Sequence, residues 1–513
     1  MTHRTEINKL KQSMCFNIRL FSLMLLLVGA FTTVAQTIQK EKKRPNIIYI
    51  LCDDLGYGDI NYMAPDYCAY PTPNVDKLAS EGMMFTNAHS GSSVCTPTRY
   101  GLLTGRYAWR TWLQSGVVQG HGNPLIAEDR LTVATYLKDQ GYQTALIGKW
   151  HLNFNYVDPI TKDTIPFKSK EGVKNIAPVG SLIPDGPITR GFDYYYGFHH
   201  ARAMKMLIEN DEVIKEIEEV EMLPLLAAKS VEYINANAEK AKNGKPFFMY
   251  VPLNSPHTPI VPSKAWQGKS GISDYADFVM ETDWAAGQIM KALEANNLSD
   301  NTIVIFTSDN GCSKKADFEN LAAKNHYPSA QLRGSKSDIW DGGHRVPFFV
   351  HWPNKIAAGS QNDQLICHTD FMATCADILG VALPEGSSLD GISFKPALNG
   401  EQISNEREAV VHHSISGRFA IRKGKWKLIL APGSGGWTAP KNREAIKMGL
   451  PNMQLYDMET DIAEKNNVYA KHPEIVEELT ALLSNYIENG RSTPGKKTEN
   501  DVAVDMWKQK KKK

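Results

Sequence analysis

Cysteine is scarce: the 513 residues hold seven, and none forms a Cys-x-x-Cys pair. A dense disulfide framework and a cysteine-rich zinc module are therefore excluded. An excess of charge of one sign is also missing. With 57 Lys and Arg against 56 Asp and Glu, the formal net charge is +1, which favours neither nucleic acid nor a membrane surface as partner. Collagen-like bias, disorder-prone bias and internal repeats are absent. No apolar run is long enough to span a bilayer. What remains is an ordinary globular composition, 42% hydrophobic and 22% charged, in a chain long enough for one large domain and a smaller one.

The first 35 residues read as a signal peptide. Arg4, Lys9, Lys11 and Arg19 precede the apolar run "LFSLMLLLVGAF", and "TTVAQT" offers a small-residue cleavage site near Ala35. Its removal takes four basic residues and one acidic residue, and leaves a net charge of −2. The expectation is an exported protein, periplasmic or secreted, with no stable membrane insertion. Cys15 leaves with the leader. Among the six remaining cysteines a Cys367–Cys375 disulfide is possible, although no spacing pattern supports it.

Strand-like and helix-like runs alternate up to about residue 350. "PNIIYIL", "QTALIGKW", "PFFMYVPL", "NTIVIFTSDNG" and "VPFFVHWP" are apolar runs of strand length. "TVATYLKDQGY", "LLAAKSVEYINANAEK" and "YADFVMETDWAAGQIMKALEANN" have helical spacing. This order predicts an α/β fold: a large mixed, mostly parallel sheet sandwiched by helices. Near residue 400 the pattern changes. "GRFAIRKGKWKLIL" reads as two strands joined by a turn, and "PEIVEELTALLSNYIENG" as one helix. The expected division is a catalytic domain over 36–400, an α+β subdomain over 401–495 and a solvated basic tail over 496–513.

Ligands of open α/β sheets bind beyond the carboxyl ends of the strands. Two such ends carry acids here: Asp53-Asp54 after "IIYILC" and Asp309-Asn310 after "IVIFTS". Three carboxylates and an amide suit a hard divalent cation such as Ca²⁺ or Mg²⁺. The same residues also serve as turn and capping residues. Cationic groups occupy neighbouring strand ends: Lys149 and His151 in "GKWHL", His257 in "NSPHTP", and Lys336, His344 and Arg345 in "LRGSKSDIWDGGHRVP". Beside a metal, such a set makes a pocket for a tetrahedral oxyanion.

"CTPTRYGLLTGR", residues 95–106, places Cys95 two residues before Pro97 and four before Arg99. With "GKWHL", "NSPHTP", "TSDNG" and "LRGSKSDIWDGGHRVP", it makes the chain resemble a type I sulfatase of the alkaline phosphatase superfamily, arylsulfatase A-like and N-acetylgalactosamine-6-sulfatase-like. The likeness runs from "RPNIIYILCDDLGYGD" to about residue 468. It implies that Cys95 is oxidised after translation to formylglycine, with Pro97 and Arg99 read by the maturation enzyme. A thiol attacking sulfate gives an adduct with no internal exit. A formylglycine hydrate has two hydroxyls on one carbon: one attacks sulfur, and the other expels sulfate by re-forming the aldehyde. The resemblance further implies metal ligation by Asp53, Asp54, Asp309, Asn310 and residue 95, and stabilisation of the hydrate by Arg99. It assigns sulfate binding to Lys149 and Lys336, the base to His151 and the acid to His257. "LRGSKS" replaces the commoner "LRGGKG" next to Lys336.

The substrate implied is a sulfated carbohydrate, of galactose- or N-acetylgalactosamine-6-sulfate type. Candidate sugar contacts are Arg110, Trp112, His199, His200, Arg202, His344 and Arg345. Two alternatives stand beside it: a phosphate or phosphonate ester hydrolase of the same superfamily, and a non-catalytic glycan-binding protein. The first would call for a second-metal cluster where Lys149 and Lys336 stand. The second would call for lost site residues.

Overall fold

A computed structural model describes residues 14, 43–120, 122–166, 177–403 and 407–508, without the side chain of Arg202. The leader read over residues 1–35 and its cleavage point near Ala35 lie outside the described residues, Met14 apart. Contacts divide the chain at Arg44, and the description that follows is of the unit from Pro45 onward.

Ten strands form the main sheet: β1 (Asn46–Asp53), β2 (Met83–Phe85), β4 (Gln143–Lys149), β5 (Tyr194–Phe198), β6 (Met206–Glu209), β7 (Glu212–Glu216), β8 (Phe247–Pro256), β9 (Thr302–Ser308), β10 (Phe348–His351) and β11 (Ser360–Asn362). A two-stranded ladder joins β3 (Ala88–His89) to β12 (Ile366–Cys367). The order across the large sheet is β11-β2-β10-β9-β1-β8-β4-β5-β6-β7. Its middle, β9-β1-β8-β4-β5, is wholly parallel, and antiparallel pairs lie outside it. Strand β1 shows why its sequence is a continuous apolar run. Ile47, Tyr49 and Leu51 pack into one hydrophobic cluster, while Ile48, Ile50 and Cys52 pack into another on the opposite face. The second cluster also takes the buried faces of the long helices Met222–Lys242 and Asp274–Ala295. The sandwich expected from the alternation is the one observed.

The C-terminal part forms a four-stranded antiparallel sheet, β13 (Val410–His413), β14 (Phe419–Lys423), β15 (Trp426–Ile429) and β16 (Gln454–Asp457), with the helix Pro473–Glu488 packed on it. One expectation is corrected. The six described cysteines beyond residue 43 are all buried free thiols. Cys367 and Cys375 pack into different hydrophobic clusters and form no disulfide. The stretch after residue 495 is mostly exposed, and a few contacts tie it to the rest of the chain. Asp501 pairs with Arg106 at 3.0 Å and its amide donates to the Arg110 carbonyl, while Arg418 donates to the Trp507 carbonyl at 2.7 Å. Residues 509–513 of the tail lie outside the described set.

Candidate active site

The parallel strands end at one edge, and the polar residues singled out by the sequence gather there. Asp53 is the last residue of β1 and Asp54 the first beyond it, with φ of 68° turning the chain sharply. Asp309 and Asn310 follow β9, Lys149 ends β4, and His257 follows β8. Cys95 is the first residue of the helix Cys95–Thr104, whose residues are all buried, and Arg99 sits one turn further along it.

The charges interlock. Arg99 donates from Nε and Nη2 to Asp309 Oδ2 at 3.1 and 2.7 Å, and from Nη1 to the Lys149 carbonyl. Lys149 Nζ donates to Asp53 Oδ2 at 2.6 Å. Lys336 Nζ lies 2.6 and 2.8 Å from the two Asp54 oxygens. Asn310 Nδ2 donates to Asp54 Oδ1 at 2.8 Å. His257 Nδ1 faces the Thr258 carbonyl and so carries the proton, which leaves Nε2 toward Asp54 at 3.7 Å. His151 Nε2 donates to the Val118 carbonyl at 3.1 Å, and its Nδ1 is buried without a partner.

Burial and the neighbouring charges together set the acid strengths here. Burial pushes Asp53 up, but Lys149, His257, Arg99 and Lys336 outweigh it and hold that carboxyl well below the usual range. Asp309 goes the other way: burial, and then the Asp53 charge, push it up to about 7. Burial also raises the Cys95 thiol, against Lys149 and Lys336. It lowers His257, with Lys336 adding to the effect, and it lowers His151 well below the ordinary histidine value.

The donors fit a metal ion. Asp53 Oδ1 and Asn310 Oδ1 are buried oxygens with no hydrogen-bond partner. Donor atoms of Asp53, Cys95 and Asp309 lie within 4.8 Å of one another, as do those of Asp53, Asp54 and His257. Orphaned buried acceptors that converge on one spot are what a hard cation satisfies.

A cavity of about 610 Å³ opens above this floor, within the usual range for small-ligand sites. Cys95, Lys149, His151, His200, His257 and Lys336 line it. The other candidate sugar contacts fare differently. His199 is buried behind His200. Arg202 lies in the turn Ala201–Ala203, and its side chain is outside the described set. Arg110 is fully buried against Asp390 at 2.8 Å, and Trp112 is half-exposed away from the cavity lining. His344 and Arg345 also lie away from that lining. His344 stacks on His412, with ring centroids 4.0 Å apart, and its Nδ1 is 3.0 Å from His89 Nδ1. Arg345 donates to the Thr86 carbonyl. Sequence reasoning missed Val117, Val118, Gln119, Ser313, Lys315, Ile415 and Trp437, which also line the cavity. One signal was available: Trp437 is a lone aromatic in the glycine-rich run "GSGGWTAP".

The sequence profile of the family described as sulfatase matches residues 45–381, and that of the C-terminal region of N-sulphoglucosamine sulphohydrolase matches 335–435. An N-acetylgalactosamine-6-O-sulfatase of Bacteroides thetaiotaomicron is 33% identical, over 89% of this chain and 96% of that protein. Human steryl-sulfatase is 31% identical over 74% of each. A solved sulfatase structure from a Bacteroides thetaiotaomicron locus for metabolism of multiple glycosaminoglycans superposes with a TM-score of 0.74, at 29% identity, over 86% of this chain and 99% of that one. The chain belongs to the sulfatase family and is a sulfuric ester hydrolase.

Proposed function

We propose that the sulfate ester hydrolysed is on a carbohydrate, of galactose- or N-acetylgalactosamine-6-sulfate type, with Cys95 as the site of the nucleophile. The observation that carries this reading is the position of Cys95: it lines the floor of a sugar-sized cavity beside Lys149, Lys336 and His257. The named activity of the Bacteroides relative supports the choice of sugar. Conversion of Cys95 to formylglycine by a maturation enzyme supplies a hydrated aldehyde, a better nucleophile here than a thiol that burial keeps protonated.

The remaining roles follow from placement. Asp53, Asp54, Asp309 and Asn310 would hold one divalent ion, Ca²⁺ as the family resemblance implies, which would supply Lewis acidity next to residue 95. Arg99 fixes Asp309 and lies one turn from residue 95, where it stabilises the hydrate. Once the carboxylates are shared with a cation, Lys149 and Lys336 donate to the sulfate oxygens. His151, its Nδ1 unpaired, accepts the proton when sulfate departs. His257 is half-buried at the cavity wall and protonates the leaving alcohol. Three aspartates balance Arg99, Lys149 and Lys336, so a bound divalent ion gives the floor a net charge of +2, the sign that attracts a sulfate ester. Two ammonium groups stand where a phosphatase-type site would need further metal ligands, and this favours sulfate over phosphate esters. His200 and Arg202 are the sugar contacts retained from the sequence. We further propose export through a leader cleaved near Ala35, and the division into 36–400, 401–495 and a terminal tail.

The test is sulfate release from 2-, 3-, 4- and 6-sulfated galactose, glucosamine and galactosamine sugars, by protein co-produced with a maturation enzyme. Release from 6-sulfated galacto sugars is expected, together with its loss in Cys95→Ala. Undiminished release by Cys95→Ala would remove the nucleophile from this site. Silence on every sugar, with formylglycine confirmed by mass, would end the monosaccharide reading.

A further inference from the structure

The cavity has a charged floor and a mixed lip. Val94, Val117, Val118, Pro259 and Ile415 form apolar wall between them. Two lip residues stand out, Trp437 and Lys315. Both line the cavity and both remain exposed; the Trp437 residue is 43% accessible. An indole left half in water within a ligand cavity is an unsatisfied apolar face.

The backbone beneath Trp437 is built to hold it there. Its amide donates to Asp338 Oδ1 at 2.8 Å and to Ser337 Oγ at 3.2 Å, and the Thr438 amide donates to the same Asp338 oxygen at 3.0 Å. A Cβ on Gly436 would stand 2.4 Å from the Ser337 carbonyl oxygen, so only glycine lets the loop approach this closely. Ser337 and Asp338 directly follow Lys336 of the floor. The indole is thus fixed relative to the ammonium assigned to sulfate. Lys315 differs from the floor lysines. Lys149 and Lys336 are paired with aspartates, whereas Lys315 makes no ion pair among the described residues. Its amide donates to the side chain of Ser313, another lining residue, which sets the base of its side chain at the cavity edge.

We propose that Trp437 and Lys315 form a sugar subsite. Trp437 stacks on the ring that carries the sulfate, and Lys315 pairs with a second anionic group, a carboxylate or another sulfate, on that ring or its neighbour. The preferred substrate is then an acidic glycan fragment with a second negative charge near the ester hydrolysed. This rests on the carbohydrate reading above.

The full chain with residue 95 converted is assayed on three substrates: N-acetylgalactosamine-6-sulfate, its 4,6-disulfated form, and a disaccharide joining the 6-sulfated sugar to a uronic acid. Steady-state constants are compared for wild type, Trp437→Ala, Trp437→Phe and Lys315→Ala, along with the inhibition constant of inorganic sulfate. Lys315→Ala is expected to lower kcat/KM about three- to fivefold on a doubly charged substrate and less than about twofold on the singly charged one. Which doubly charged substrate loses identifies the anionic group. Trp437→Ala is expected to raise KM about tenfold on all three, with Phe restoring most of it. Inhibition by inorganic sulfate should be unchanged in every variant. Equal losses on singly and doubly charged sugars in Lys315→Ala overturn its role. A sulfate inhibition constant that moves with KM in Trp437→Ala marks that residue as structural and overturns the stacking. A wild type that turns over an aryl sulfate but none of the sugars defeats the carbohydrate reading itself, a failure distinct from the other two.

Discussion

Asp53 divides its work between two oxygens. Oδ2 takes the Lys149 ammonium at 2.6 Å, while Oδ1 is buried with no hydrogen-bond partner. Leaving such an oxygen unsatisfied costs about 1–3 kcal/mol or more for a charged group, and a bound cation removes that cost. A chelator should therefore lower the melting temperature of the wild type as well as its turnover, because a ion held a hundredfold above its Kd contributes about 2.7 kcal/mol. In Asp53→Asn the metal content should fall and the melting temperature should no longer respond to chelator. A wild-type melting curve indifferent to chelation contradicts the site. At this scale the acids and the motif cysteine were legible, because each sits where an apolar strand ends or a constrained motif begins. Of the candidate sugar contacts with described side chains, only His200 lines the cavity. His344 and Trp437 are both ring-bearing residues in segments rich in glycine. Nothing in their local sequence says that His344 turns inward onto His89 and His412 while Trp437 turns outward to the cavity.

At the scale of elements, the helix Pro73–Ser80 begins without a side-chain cap from its own N-cap residue, Thr72. The cap comes from another helix. Asp283 Oδ1, from Asp274–Ala295, accepts from the amides of Asn74 and Val75 at 3.0 and 2.8 Å. Burial raises Asp283 to about 6, in spite of those hydrogen bonds. The sign follows from linkage: with the folded value above the unfolded one, its contribution is full below about pH 4 and is lost as pH rises through 6. That slope is worth up to about 3 kcal/mol. Urea unfolding of Asp283→Asn across pH 4–6 should show a flatter profile than wild type; identical profiles would show that Asp283 does not titrate there. The strands themselves were readable, since runs such as "NIIYILC" bury both faces. A cap supplied from 209 residues away was not, because periodicity reports only local neighbours.

Across the whole molecule, a buried charge cluster ties the small sheet to the short helix Asp341–His344, which precedes β10 of the large one. Lys427 on β15 donates to Asp341 Oδ1 at 2.7 Å and to Glu464 Oε1 at 2.8 Å, and none of the three is solvent-exposed. Lys427→Met would leave Glu464 without its cation and Asp341 with only the more distant Arg345 and Arg422, at 3.5 and 3.6 Å. A loss of about 3–5 kcal/mol is expected in chemical denaturation, and a loss under about 1 kcal/mol would show that water or protonation relieves them. Composition marked the change of pattern near residue 400, but it could not show that the later segment closes over the cavity. That closure depends on Ser337. This buried residue, with φ of 79°, donates its amide to the Ser93 carbonyl, accepts from the Ile415 amide, and receives the Trp437 amide on its hydroxyl. The segment leading into Cys95, the ammonium of Lys336 and two pieces of cavity wall thus hang from one peptide. Lengthening any of those loops is expected to displace Cys95 and Lys336 with it, since they share these hydrogen bonds. A change of substrate that keeps the chemistry is therefore expected from exchanging side chains at positions such as 315, 415 and 437, not from moving the loops that carry them.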